Sequence, residues 1–181
     1  MLDKTQKYVL LGSCFSQYMG ERMESEGYHA LCNPVGTLFN PESIRNTVCH
    51  ALCGGAESLP MFHDRAMQEW RCWWANTRFR ADSEDEARAL VQESFRALGD
   101  ALCHAGRLFL TLCTNVCYRL VENGMAVSNC QRQADRLFRE DSLSLQQTCE
   151  VLEETLQALF MKNPDIRVTF TLSPYRYRKY G

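Results

Sequence analysis

The 181-residue chain has no Cys-x-x-Cys pair, no Asp-x-x-His segment, no long apolar run and no excess of basic residues. Each absence removes a class of protein. Lys plus Arg total 20 against 22 Asp plus Glu, a formal charge of -2, so the electrostatic footprint of a nucleic-acid binder is missing. No apolar stretch approaches the roughly 18 residues that read as a bilayer-spanning helix. The opening segment, residues 1–7, leads into only a short apolar stretch. That is not the pattern of a secretory signal, and the expected compartment is the cytoplasm.

Cysteine is the residue type in surplus, with ten copies, at 14, 32, 49, 53, 72, 103, 113, 117, 130 and 149. Zinc sites use closer, repeated ligand spacing than the two Cys-x-x-x-Cys pairs, Cys49/Cys53 and Cys113/Cys117. The expectation is buried or half-buried free thiols in a reducing compartment, with no metal site.

Strand and helix signals alternate along the chain. Lys7–Leu11 is a short apolar run ending at Gly12, as a buried parallel strand requires. Phe15, Met19 and Met23 then recur at helical spacing up to Gly27, and Tyr28–Cys32 forms a second strand signal before Asn33-Pro34. Asn40-Pro41-Glu42 opens a helix carrying Ile44, Val48 and Leu52, closed by Gly54-Gly55. Residues 59–80 carry Trp70, Trp73 and Trp74 and read as irregular or short-strand structure that covers something else. Ser83-Glu84-Asp85-Glu86 fits a capping box for a helix over about 84–104. Arg107–Leu112 is a buried strand, and Asn123-Gly124 predicts a two-residue hairpin between Val116–Glu122 and Met125–Asn129. Ser144–Gln147 caps a helix to about Met161, with Val151, Leu152, Leu156 and Leu159 inward. In the last strand Ile166, Val168, Phe170 and Leu172 alternate with Arg167, Thr169 and Thr171.

This order predicts one domain over residues 1–181, an α/β layered fold with a mostly parallel sheet. Ligands in such sheets sit beyond the carboxyl ends of the strands. Three places qualify: Gly12-Ser13-Cys14, Cys113-Thr114-Asn115 and Ser173-Pro174. A serine between a strand end and a helix start is well situated for acyl transfer, because the helix's free N–H groups can stabilise an oxyanion. The same placement equally suits a serine that only caps its helix.

Leu11-Gly12-Ser13-Cys14-Phe15-Ser16 resembles the signature of the GSCFA family, which belongs to the SGNH/GDSL hydrolase superfamily. The resemblance continues through residues 33–44, Asn-Pro-Val-Gly-Thr-Leu-Phe-Asn-Pro-Glu-Ser-Ile, and returns at Thr111–Thr114 with Tyr118, at Asn129-Cys130 and at Phe170–Pro174. It implies a flavodoxin-like three-layer α/β/α fold with Ser13 as nucleophile. It further implies oxyanion donors from the Ser13 N–H, from a second-block glycine matched by Gly36, and from an asparagine. Asn115 lies where the superfamily's Gly-x-Asn block falls, and Asn129 fits the family's Asn-Cys block; both stay open. Gly36 also reads as a turn residue needing positive φ.

Several positions depart from the family pattern: Cys113 stands for Gly, Val116 for Trp, Gln131 for His in Asn-Cys-His, and Tyr177 for His after Ser-Pro. Superfamily members carry the general base in a C-terminal Asp-x-x-His block, which this chain lacks, so a C-terminally incomplete domain is the expectation. Of the four histidines, His29, His50, His63 and His104, the second and fourth read as surface residues and His63 has the neighbouring acid Asp64. Without a base, a serine hydroxyl is a poor nucleophile. Cys14, at a helix start, is an alternative nucleophile. The tail Tyr175–Tyr180 interleaves aromatic and basic residues, a pattern that also suits single strands, yet it reads better as a loop.

The resemblance thus implies a serine ester hydrolase or acyltransferase acting on an acyl ester of a small molecule, glycan or lipid. No cofactor, nucleic acid or membrane span is expected. The alternative is a non-catalytic relative that keeps the fold.

Overall fold

Residues 8–11, Tyr-Val-Leu-Leu, are shielded from solvent, as a strand covered on both faces requires. In the computed structural model, which describes residues 2–54 and 58–174, they form the centre of β1 (Lys7–Gly12). In chain order follow α1 (Cys14–Ser25), β2 (His29–Cys32), α2 (Pro41–Leu52), β3 (Met61–Asp64), β4 (Glu69–Cys72) and β5 (Arg80–Ala81). Then come α3 (Glu84–His104), β6 (Arg107–Leu112), β7 (Val116–Leu120), β8 (Ala126–Val127), β9 (Phe138–Ser142), α4 (Leu145–Lys162) and β10 (Arg167–Leu172).

The strands β10, β6, β1 and β2 lie side by side in that order, all parallel. Counted within this sheet the order is 2-1-3-4, the start of the flavodoxin-like arrangement. The sheet is covered on both faces. Val9, Leu11, Leu108 and Leu110 face the helices α2, α3 and α4, whose Ile44, Val48, Leu98 and Leu159 complete the main core. Tyr8 and Leu10 point the other way, against Met23 of α1 and Tyr28. This is the expected three-layer α/β/α architecture. The topological switch point lies between β1 and β6, which puts the carboxyl ends of those two strands at the natural ligand crevice.

The helix starts follow the caps written in the sequence. Asn40 Oδ1 accepts from Ser43 N at 2.9 Å, and Ser144 and Gln147 make both halves of a capping box. At Ser83 one half forms, with Oγ accepting from Glu86 N at 3.3 Å.

Two small antiparallel sheets, β3-β4-β5 and β8-β7-β9, sit outside the main one. The tryptophans join them: Trp73, stacked on Phe62 of β3 with ring centroids 3.7 Å apart, meets Phe138 of β9 edge-on at 5.7 Å, and Trp74 Nε1 donates to Ala126 O at 3.1 Å. Glu42 at the start of α2 pairs with Arg119 of β7, which also holds Asp141 of β9.

Two expectations need correction. The 123–124 dipeptide is not a two-residue hairpin turn. Leu120 N donates to Met125 O at 2.9 Å and Gly124 N to Leu120 O at 2.8 Å, so the loop spans residues 121–124. His50 is not a surface residue: α3 and Trp74 close over that face of α2, and its ring lies 4.6 Å from Phe95 and 5.8 Å from Trp74. Phe170 and Leu172 share a face with Leu110 and Leu112 through the register of β10 on β6, yet they are 44% and 79% exposed. Among the described residues β10 is a sheet edge, and α4 packs chiefly on α2 rather than over it. No helix of the described residues is long and apolar enough to cross a membrane.

Candidate active site

At the carboxyl end of β1 the chain must turn sharply, and Gly12 takes φ +138 to do so. A side chain there would collide with the Thr111 carbonyl of the neighbouring strand, so only glycine fits this approach. Both backbone polar groups of Gly12 are held. Its N–H donates to Asn33 Oδ1 at 2.9 Å, and its carbonyl accepts Leu38 N at 2.8 Å.

Ser13 follows as the N-cap of α1, with Oγ accepting from Phe15 N at 3.3 Å. Its N–H reaches Thr111 O at 3.4 Å, a weak bond. The helix begins at Cys14, so the positive end of the helix dipole lies at this hydroxyl, while Ser16 N donates to Ser13 O at 2.9 Å. Ser13 is fully buried, 0% exposed. Beneath it runs a chain of hydroxyls: Ser16 Oγ bonds Thr111 Oγ1 at 2.6 Å, and Thr111 Oγ1 bonds Thr171 Oγ1 at 2.8 Å. This ladder ties α1 to β6 and β10 but does not reach Ser13 Oγ.

Gly36 sits on the strap that crosses this end of the sheet, with φ +115 and no room for a Cβ, which would stand 2.5 Å from Asn76 Cβ. Its N–H donates to Asn33 O at 2.9 Å and closes a turn. The glycine therefore serves the backbone role that its residue type suggests, and that N–H is already engaged.

A cleft of about 170 Å³ opens beside the strap, lined by Phe39, Thr114, Tyr118, Val127, Ser128 and Asn129 among others. Phe39 O accepts Thr114 N at 3.0 Å, which stitches the strap to the segment after β6. The β7–β9 sheet forms the far wall. Its lining residues Val116, Tyr118 and Val127 lie in the two hairpin strands that the sequence predicts, whereas β9, paired with β7, was not foreseen, because Phe138–Ser142 carries too little apolar alternation to announce a strand.

The structure separates the two asparagines. Asn115 Nδ2 donates to Leu143 O at 2.8 Å and its carbonyl accepts Leu143 N at 2.9 Å, so it anchors the lead-in to α4. Asn129 lines the cleft; Oδ1 accepts Gln131 N at 2.7 Å, and no recorded bond among the described residues takes its amide nitrogen. Gln131 is itself a bracket. Fully buried, it donates from Nε2 to Cys72 O at 3.0 Å and Ala75 O at 2.6 Å.

Cys113 lies next to this end of the sheet as well. Burial pushes its thiol up, a hydrogen bond with Ser173 works against that, and the nearby Cys14 thiol adds to the rise. The four histidines have their contacts elsewhere. His63 packs on Trp70, His104 bonds Asp100 O, His50 lies in the core and His29 is exposed at the opposite end of β2. Asp64, next to His63, instead pairs with Arg71 at 3.3 Å and accepts from Ala66 N and Met67 N. Among the described residues no group of three or more His, Cys, Asp and Glu is placed to hold a metal ion. Tyr177 and the tail Tyr175–Tyr180 lie outside the described residues.

A three-layer α/β/α fold with a serine capping the first helix at the sheet's switch point defines the class. Within it, the GSCFA family model matches residues 7–181, and the chain belongs to the GSCFA family. No curated protein and no solved structure gives a match.

Proposed function

We propose that this domain is an SGNH-type serine ester hydrolase or acyltransferase with Ser13 as its nucleophile. The observation that carries the reading is the position of Ser13, between β1 and the N-terminus of α1 at the switch point of a 2-1-3-4 parallel sheet. In the reaction, Ser13 Oγ attacks the carbonyl carbon of an acyl ester and loses its proton. The bond to the alcohol oxygen breaks, the alcohol leaves protonated, and the acyl group remains on Ser13. Water or an acceptor alcohol then takes it. The developing oxyanion is met by the positive end of α1, and by the Ser13 N–H once its weak bond to Thr111 O gives way. Asn129 is a better side-chain donor than Asn115, whose amide is engaged by Leu143. Gly36 shapes the strap, and its N–H joins the oxyanion site only if the turn to Asn33 opens. The substrate is an acyl ester of a small molecule, glycan or lipid.

One observation favours a second reading, a non-catalytic relative in which Ser13 is only a cap: the residue is fully buried and its Oγ is bonded to Phe15 N. Hydrolysis of p-nitrophenyl acetate separates the two. The catalytic reading predicts turnover that disappears in Ser13→Ala and in Ser13→Gly, the second of which nearly preserves the cap energy. Folded protein without turnover, or turnover that survives both substitutions, supports the cap alone.

A further inference from the structure

The Ser13 turn is organised by a residue outside the nucleophile motif. Strand β2 pairs with β1 up to Leu10 and Cys32, and Asn33 N continues that ladder to Leu10 O at 3.0 Å. At Asn33 the backbone takes φ +41 and leaves the sheet. The strand therefore offers no further backbone carbonyl to Gly12 N–H, which is buried and needs an acceptor. Asn33 Oδ1 provides one at 2.9 Å. The same residue's carbonyl accepts Gly36 N at 2.9 Å, forming the turn that brings Leu38 N back to Gly12 O at 2.8 Å. One side chain and one turn thus clamp both polar groups of Gly12, the residue that feeds Ser13.

Resting on the acyl-transfer reading above, we propose that Asn33 is a positioning residue for Ser13, its Oδ1 standing in for the missing strand carbonyl and fixing the Leu11–Gly12 peptide that leads into Ser13. Asparagine suits the position on two counts. It tolerates the left-handed backbone, and its side-chain oxygen can replace a main-chain acceptor. Its Nδ2 is buried with no hydrogen-bond partner, so the polar role of this side chain rests on the oxygen. Residue 33 is 3% exposed and makes no contribution as a surface group. Misplacing a reacting group by a fraction of an ångström to one ångström slows chemistry by up to about a hundredfold, which makes the clamp a determinant of rate rather than of substrate binding.

The test uses a fluorophosphonate, which phosphonylates an activated serine as fluoride leaves, on the full chain. Peptide mapping locates the adduct, and the saturation rate kinact is separated from the affinity KI. Wild-type protein is expected to label at Ser13. Asn33→Ala is expected to lose at least about tenfold in kinact with KI unchanged. Asn33→Asp, which keeps an acceptor and tolerates the same backbone, stays within a few-fold of wild type. Hydrogen exchange gives a readout independent of activity: the Gly12 amide is protected in wild type and Asn33→Asp, and exchanges rapidly in Asn33→Ala. Wild-type kinact in folded Asn33→Ala, or a protected Gly12 amide there, overturns the proposal alone. If Asn33→Ala does not fold, Asn33→Asp decides, since a tenfold loss in that variant contradicts the role of the oxygen. An unlabelled wild-type Ser13 overturns the acyl-transfer reading itself, and the positioning role with it.

Discussion

At Ser13 one hydroxyl oxygen serves the helix and, in the proposed reaction, the acyl group. The bond from Phe15 N must loosen when Oγ turns to a substrate carbonyl, so the cap is a resting state that chemistry has to release. Its stabilising worth is measurable. Ser13→Ala removes the cap and is expected to lower stability by about 1 kcal/mol, while Ser13→Gly costs only a few tenths; urea denaturation of the three proteins checks both values. The roles of neighbouring residues were partly readable from residue type. Glycine at 36 announced positive φ, and Asn40 and Ser144 announced caps. The choice between Asn115 and Asn129 was not readable, because it depends on Leu143 and Gln131, whose approach only the folded chain creates. The role of Asn33 was hidden for the same reason: its partner Gly12 is 21 positions away along the chain.

Among the elements, the close packing of α2 on α3 is controlled by a single residue. A Cβ at Gly99 would collide with the carbonyl oxygen of Ala51. Helix propensity favours alanine there by about 1 kcal/mol, and overpacking opposes it by about 1–3 kcal/mol. Gly99→Ala is therefore expected to destabilise the domain by about 1 kcal/mol, read as a lower urea midpoint; a stabilised variant would contradict the close crossing. The parallel strands and the four helices followed from apolar runs and caps, signals that are local. Strand β9 of the β8-β7-β9 sheet did not, since it pairs with β7 across a long loop and its Arg139-Glu140-Asp141 sequence is polar on both faces. That sheet is fastened to α2 by the Glu42–Arg119–Asp141 set. The Arg139 and Arg119 guanidiniums hold the half-buried Asp141 carboxyl below its ordinary 3.8. Its contribution is present above that value and fades as pH falls through the lowered one.

Over the whole molecule, cysteine burial sets the alkaline limit. Burial pushes the thiols of Cys32, Cys72 and Cys117 up from 9.0 to about 12, and that of Cys130 to about 11. Below the ordinary value both folded and unfolded chains keep these protons, and stability is unaffected. Above it the unfolded chain ionises first and binds fewer protons, so stability falls as pH climbs toward the folded values. Melting temperature is expected to hold from neutrality to about pH 9 and to drop by about pH 11, less steeply in Cys72→Ala; an unchanged slope in that variant would argue against Cys72 as a contributor. Cys14, Cys53 and Cys149 are exposed, contrary to the expectation of thiols that are all at least half-buried, and they should alkylate before Cys72. The molecule as a whole places a helix-capping serine, a clamped glycine turn and a cleft at one end of a parallel sheet, and the central claim is that this end performs acyl transfer through Ser13. The most direct measurement is mass spectrometry of protein mixed with an activated ester and quenched in acid. The account predicts a mass gain of one acyl group that maps to Ser13 and is absent from Ser13→Ala. An unmodified Ser13, or an acyl group carried by Cys14 instead, would contradict it.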